Sequence, residues 1–276
     1  MTAPTAARAI LDAEHPPLRT FSYGGGVQST ACLVLAAEGK IDFPTFLFAN
    51  TGDDSENPKT LTYVREVATS YAEAHGIALH EVARKGETLY QRLTRPESRS
   101  IDIPVYLGSG APGKRQCTGD YKVRVIARWL KAHGATDENP ATLGMGISLD
   151  ELHRARTEFD PRVPHQRRVY PLIDLRMDRQ DCVNVIERAG LPVPPKSSCW
   201  FCPFARKSRW REMQRHDPEL FEQAVELERT LNERRETLGR DAVYLTSALI
   251  PLDQVIVDTG QQEFDFSLCE GGYCHV

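Results

Sequence analysis

From residue 18 onward, short strand-like runs alternate with longer helix-like ones, and few folds can absorb that alternation. The strand-like runs are "LRTFSY", "TFLFAN", "IALHEVA" and "TLGMGI"; helix-like stretches lie at 29–38, from Pro58 to near Gly76, and at roughly 121–133. Strand followed by helix, repeated, implies β-α-β units and therefore a mainly parallel sheet with helices on both faces. "RVYPLID" and "RQDCVNVIERAG" predict one more strand and one more helix. A last helix is predicted with Asp217 as N-cap and Pro218 in its first position. Leu220, Phe221, Ala224, Val225, Leu227 and Leu231 fall on one face of it, and Gly239 stops it. The expected class is α/β with a helical C-terminal extension.

The first strand-to-helix connection, "FSYGGGVQST", holds three consecutive glycines, Gly24, Gly25 and Gly26. Glycine allows a tight turn that exposes backbone N–H groups, and a following helix N-terminus adds partial positive charge, which together suit a phosphate. Ser29 and Thr30 can add hydroxyls. The pattern is neither G-x-x-x-x-G-K-[ST] nor G-x-G-x-x-G, and a plain tight turn is the competing explanation.

The 276-residue chain has a formal charge of -4, which does not favour a nucleic-acid partner overall and leaves room for a local basic patch. No secretory apolar segment or apolar run of membrane-spanning length occurs, so a cytoplasmic protein with no membrane partner is expected. Seven cysteines in a reducing compartment, an odd number, point to metal or thiol chemistry rather than to a disulfide framework. Cys199 and Cys202 form C-x-x-C in "KSSCWFCPF". Cys117 lies in the basic segment "GKRQCTGDYK" among Lys114, Arg115 and Lys122. Such a set serves thiol redox chemistry, zinc or an iron–sulfur cluster. Cys32 and Cys182 read as packed helix residues. The stretch 85–120, rich in Gly, Pro, Arg and Ser, reads as a long functional loop. "ARKSRWREMQRH" carries five Lys/Arg near Trp200, Phe201 and Trp210, which suits either a nucleic-acid strand or an amphipathic surface helix.

Gly24–Ser29 resembles the S-G-G-x-D-S loop of the PP-loop (N-type ATP pyrophosphatase) superfamily. "FLFANTGDDSENPKTLTYVREVA" and "GISLDELHRAR" resemble elements of its phosphoadenylylsulfate-reductase-like branch, and the likeness runs from about residue 18 to 230. The resemblance implies a Rossmann-like, adenine nucleotide alpha hydrolase-like fold. It divides the chain into a leader (1–17), a nucleotide-binding domain that includes the C-x-x-C (18–215) and a C-terminal helix with a cysteine-bearing tail (216–276). It implies that Ser22, Gly25, Gly26, Ser29 and Thr30 hold the phosphates of ATP or a related adenine nucleotide, with Gly24, where the family has Ser, and Gln28 in the same nucleotide-binding set, and that Phe48, Ala49 and Asn50 line the base. Gln28 stands where the family has Asp, which removes a carboxylate contact to Mg²⁺; Asp53 or Asp54 is the alternative source of one.

By the same resemblance, Cys117, Cys199 and Cys202 would hold a 4Fe-4S cluster with one open iron, zinc being the alternative. A fourth ligand from Cys182, Cys269 or Cys274 would close the cluster. Lys122, Arg154 and Arg156 would neutralise phosphate or sulfate, and Cys274, in "LCEGGYCHV", resembles the nucleophile of the thioredoxin-dependent reductases. The implied function is a nucleotide-dependent sulfurtransferase that adenylylates an acceptor. Its sulfur acceptor is not identified by the sequence, with nucleic acid among the candidates, and a redox protein is a candidate partner. Two alternatives stay open: a sulfonucleotide reductase that forms sulfite, and a non-catalytic, cluster-bearing nucleotide-binding subunit of a DNA modification or defence system.

Overall fold

The computed structural model describes residues 17–255. In chain order its elements are β1 (Arg19–Tyr23), α1 (Val27–Ala37), β2 (Thr45–Asn50), α2 (Pro58–Thr62), α3 (Thr69–Ala74), β3 (Ala78–Ala83), α4 (Leu89–Thr94), β4 (Tyr106–Leu107) and α5 (Gln116–Thr118). They continue with α6 (Arg124–Ala132), β5 (Ala141–Met145), β6 (Gln166–Val169), α7 (Pro171–Asp174), α8 (Arg179–Arg188), α9 (Lys207–His216), α10 (Pro218–Thr237), β7 (Val243–Tyr244) and α11 (Leu252–Val255). A π-helical segment, Tyr63–Ala68, joins α2 to α3, and another, Gly119–Val123, leads into α6. These residues form two compact units: 17–50, 59–83 and 123–197 make the first, and 51–58, 84–122 and 198–255 the second.

The first unit is a five-stranded sheet, parallel throughout, in the order β3-β2-β1-β5-β6. Alternating side chains commit its strands to two faces. Phe21, Tyr23, Phe46 and Phe48 pack with α1, the helix through α2 and α3, α7 and α8. Leu47, Ala49 and Leu143 pack with Ile126 and Leu130 of α6 on the other face. The expected Rossmann-like α/β class is therefore the observed one. Phe21 is fully buried, stacked on Phe46 at 4.9 Å and edge-on to Phe43 at 5.5 Å. Its register partner on β5 is Gly144, where a Cβ would stand 2.4 Å from the Phe21 ring. Cys32 and Cys182 are buried in this core, as their helical setting predicts; burial pushes the Cys182 thiol up to about 12. One expectation changes: in "RVYPLID" the strand stops at Val169, and Pro171–Asp174 is helical, since proline suits a helix's first turn.

The second unit packs around α9 and α10, with Trp210, Phe221, Leu227 and Leu231 buried together. The helix expected after Asp217 runs over Pro218–Thr237, and Gly239 follows with φ 62°, though Asp217 caps it without a side-chain hydrogen bond. Glu228, buried on this helix, accepts the N–H groups of Leu245 at 2.6 Å and Leu252 at 2.8 Å, tying β7 and α11 to it. The stretch 85–120 is not wholly a loop. Thr88 opens α4 with a reciprocal cap, its hydroxyl accepting from Gln91 N–H at 3.2 Å while Gln91 Oε1 accepts from Thr88 N–H at 3.1 Å.

Candidate functional site

The glycine loop belongs to the first unit. It leaves the carboxyl end of β1, whose sheet neighbours are β2 on one side and β5 on the other. The chain order reverses between β1 and β5, and in open α/β sheets ligands bind outside the carboxyl ends of strands at such a switch point. Gly25 is left-handed, φ 72°, and a Cβ there would stand 3.0 Å from Thr60 Cγ2 and 3.2 Å from Val64 Cγ2. Gly26 is extended and caps α1, and Ser197 Oγ lies 3.1 Å from where its Cβ would be. Gly146, just past β5, backs the loop so closely that a Cβ would stand 3.1 Å from Ser29 N. No acidic residue occupies the first turn of α1, so the helix itself puts no carboxylate at its positive end, where an anion is favoured.

The hydroxyls of the loop divide. Ser29 Oγ accepts from Gly26 N–H at 3.2 Å and donates to Gly26 O at 3.0 Å, so it stands at the loop itself. Thr30 is fully buried and shares a 2.9 Å hydrogen bond with the Tyr23 hydroxyl, which turns it into the core. Burial raises the Tyr23 phenol far above its ordinary value. Ser22 is half-buried on β1, and Gly24 is exposed. Gln28 is the centre of a small network: its amide donates to Glu151 Oε2 at 3.3 Å and lies 3.4 Å from Ser148 Oγ, and it accepts from Arg179 at 3.4 Å. Glu151 in turn pairs with Arg154 at 2.5 Å. A glutamine can serve an anion and a cation at once, whereas a carboxylate there would face Glu151.

Phe48, Ala49 and Asn50 are all buried. Phe48 packs beneath Gly25, its ring 3.4 Å from the Cβ position, and Asn50 donates to Glu81 at 2.7 Å. Arg156 gives its backbone N–H to the Tyr170 hydroxyl at 2.8 Å.

The cysteines expected to act together, Cys117, Cys199 and Cys202, all lie in the second unit and are half-buried. Backbone hydrogen bonds frame them. Cys117 N–H donates to Asp102 O at 2.7 Å, and Cys202 N–H to Cys199 O at 3.2 Å. Glu56 and Cys199 form an antiparallel bridge, flanked by Asn57 N–H to Ser198 O and Trp200 N–H to Ser55 O, each 3.2 Å. The Cys199 thiol lies 3.4 Å from the Thr51 hydroxyl, which donates to Glu56 Oε1 at 3.0 Å; the same oxygen is 3.3 Å from Lys122 Nζ. Burial pushes the Cys199 thiol well above its ordinary value and Glu56 adds to this, while Lys122 and Thr51 pull it back. Cys117 is raised by burial and opposed chiefly by Arg115. Burial opposes the charge of Lys122, yet Glu56 and Cys199 outweigh it and raise the ammonium's pKa. Arg209 acts electrostatically on Cys202 and Cys199 and hydrogen-bonds the Ser198 hydroxyl.

Among the described residues no three His, Cys, Asp or Glu side chains stand as a metal-ligating group. The three cysteines, with the Cys199 thiol turned to Thr51, do not form a ready ligand set for the cluster or zinc that the sequence led us to expect. Cys182 is held in the core of the first unit. Cys269 and Cys274 lie outside the described residues. Asp53 is exposed in the second unit, and Asp54 is engaged by the hydroxyls of Ser55 at 2.8 Å and Thr88 at 2.7 Å.

Thr51, Glu56, Gly146, Ser197 and Arg179 were not singled out from the sequence. Only Gly146 carried a signal, as a second glycine closing a strand. A carboxylate such as Glu56, in the polar run "DDSEN", gives no sign in sequence that it is buried.

No protein-family model matches the sequence, and no curated protein matches it. Among solved structures, the chain is similar to the phosphoadenylyl-sulfate (PAPS) reductase of Candida auris in a phosphate complex. That match has 14% identity and a TM-score of 0.44, over 68% of this chain and 80% of the reductase. The chain is also similar to the U34-tRNA thiolase NcsA of Methanococcus maripaludis with its 4Fe-4S cluster, at 13% identity and a TM-score of 0.42, over 82% of this chain and 72% of the thiolase.

Proposed function

We propose that this chain is a nucleotide-dependent sulfur enzyme that binds ATP or a related adenine nucleotide at the glycine loop. The observation that carries the proposal is the position of Gly24–Gly26 at the β1/β5 switch point, opening a helix whose first turn holds no acid. Gly25, Gly26 and Ser29 grip phosphate, and Thr30 supports the loop through Tyr23 instead of touching the ligand. In the adenylylating reaction, an acceptor oxygen attacks the α-phosphorus and pyrophosphate leaves with the bonding electrons. Donors fixed in advance by the fold stabilise that departing charge. A sulfur nucleophile then forms its bond to the activated atom as the bond to AMP breaks. The cysteines of the second unit are the residues we assign to sulfur.

A second proposal, a binding subunit without turnover, is favoured by Gln28, a neutral side chain already engaged with Glu151 and Arg179. Product analysis separates the possibilities. Pyrophosphate formed from ATP, and lost in Gly26→Val, supports the adenylylating enzyme. Sulfite from adenylyl sulfate or its 3′-phosphate without pyrophosphate would replace it with the reductase. Stoichiometric nucleotide binding with neither product would leave the binding subunit.

A further inference from the structure

Glu56 stands apart from the residues so far given roles. Its side chain is 1% exposed, and burying a carboxylate is costly unless it is paired and hydrogen-bonded. Here one oxygen serves two partners, accepting from Thr51 at 3.0 Å and facing Lys122 Nζ at 3.3 Å. Thr51 continues the contact to the Cys199 thiol at 3.4 Å. The backbone on both sides is pinned by the Glu56–Cys199 bridge, so carboxylate and thiol cannot drift apart independently. Lys122 differs from Glu56 in one respect: its side chain is 36% exposed and an ammonium has three donors, so one end is held from within while solvent reaches the rest. The other charges that act on Cys199 are those of Cys202 and Arg209, and Arg115 acts on Cys117.

We infer that Glu56 is a positioning residue that holds Lys122 beside the Cys199 thiol, making a subsite for a small electrophile that carries an oxyanion. Lys122 takes the oxyanion; the Cys199 sulfur, its proton passing to solvent, forms a bond to the adjacent atom as that atom's bond to its leaving group breaks and the leaving group departs with the electron pair. The subsite deepens the assignment of the second unit's cysteines to sulfur chemistry and uses nothing of the glycine loop, so a failure of nucleotide binding leaves it standing.

Two alkylating probes of equal size test it. Iodoacetate carries a carboxylate and iodoacetamide does not. With either, the C–S bond forms, the C–I bond breaks, iodide leaves with its electron pair and the thiol proton goes to buffer. Both rates at Cys199 are read by peptide mass spectrometry on the full chain, and their ratio cancels the ionised fraction of the thiol. The ratio is expected to exceed that of the urea-unfolded chain by about tenfold, as a fixed cation concentrates an anionic reagent. Lys122→Met is expected to return it to the unfolded value, Glu56→Gln to lower it several-fold, and Lys122→Arg to retain most of it. Inorganic sulfate is expected to slow iodoacetate and spare iodoacetamide on the unmodified chain, a readout that needs no variant to fold. A folded-state ratio equal to the unfolded one, a ratio unchanged by Lys122→Met, or a Cys199 that takes neither label would overturn the inference.

Discussion

Replacing Gly144 by Ala puts one methyl group where the structure has none to spare. The new Cβ would stand 2.4 Å from Phe21 Cδ2 and 2.9 Å from both Phe21 Cε2 and Phe43 Cζ, against an ordinary carbon contact of about 3.5–4.0 Å. Phe21 cannot rotate away, because it is fully buried between Phe43 and Phe46. Either β5 or the ring must move by roughly 1 Å, which places the cost at the upper end of overpacking, about 3 kcal/mol. For a protein of this size that is a fall in melting temperature of roughly 6–12 °C, measurable by circular dichroism if unfolding is two-state. Phe21→Leu should relieve the clash. In a double-mutant cycle the pair is expected to cost less than the sum of the single changes by at least about 1 kcal/mol. A Gly144→Ala variant melting within 2 °C of the parent, or strictly additive costs, would refute the packing argument.

Gly146→Ala pushes on the backbone of Ser29, 3.1 Å away, and not on a core ring; ATP affinity is expected to fall about tenfold, near 1.4 kcal/mol, with little loss of stability. Glu228→Ala leaves the N–H groups of Leu245 and Leu252 without their acceptor, and urea titration should show a loss of about 2–4 kcal/mol. His165 is buried and neither ring nitrogen has a hydrogen-bond partner among the described residues; burial, reinforced by Lys131 and opposed by Asp137, lowers its pKa. The unfolded chain therefore binds the proton more readily, so stability is full above the ordinary histidine range and falls as pH drops through and below it. The slope is at most about 1.4 kcal/mol per pH unit, and His165→Phe is expected to flatten it in pH-dependent denaturation.

The sheet was legible because its cause is local: four of the five strands are short apolar runs set between helix-like periods, and the glycine triplet marks the turn after the first. "RVYPLID" misled in part, since its apolar residues continue past Val169 while Pro171 starts a helix. The helix in 85–120 hid behind Gly, Pro and Arg, although Thr88 and Gln91 already spell its cap. At the site, sequence pointed to Gly25, Gly26, Ser29 and the C-x-x-C. It could not tell that Thr30 turns inward to Tyr23 or that Glu56 is the buried carboxylate in a run of acids. Both depend on which neighbours arrive from elsewhere in the chain, such as Lys122 beside Glu56.

Binding of ATP to the full chain and to Gly26→Val, followed by calorimetry, bears most directly on the assignment of the glycine loop. Gly26 has an extended backbone that valine can adopt, and the new side chain would fill the space facing Ser197 Oγ, 3.1 Å from the Cβ position. One ATP bound per chain, weakened by at least about tenfold in a variant that keeps its circular dichroism, is the expected result. No saturable binding by the parent, or equal binding by the variant, would contradict a nucleotide site at this loop.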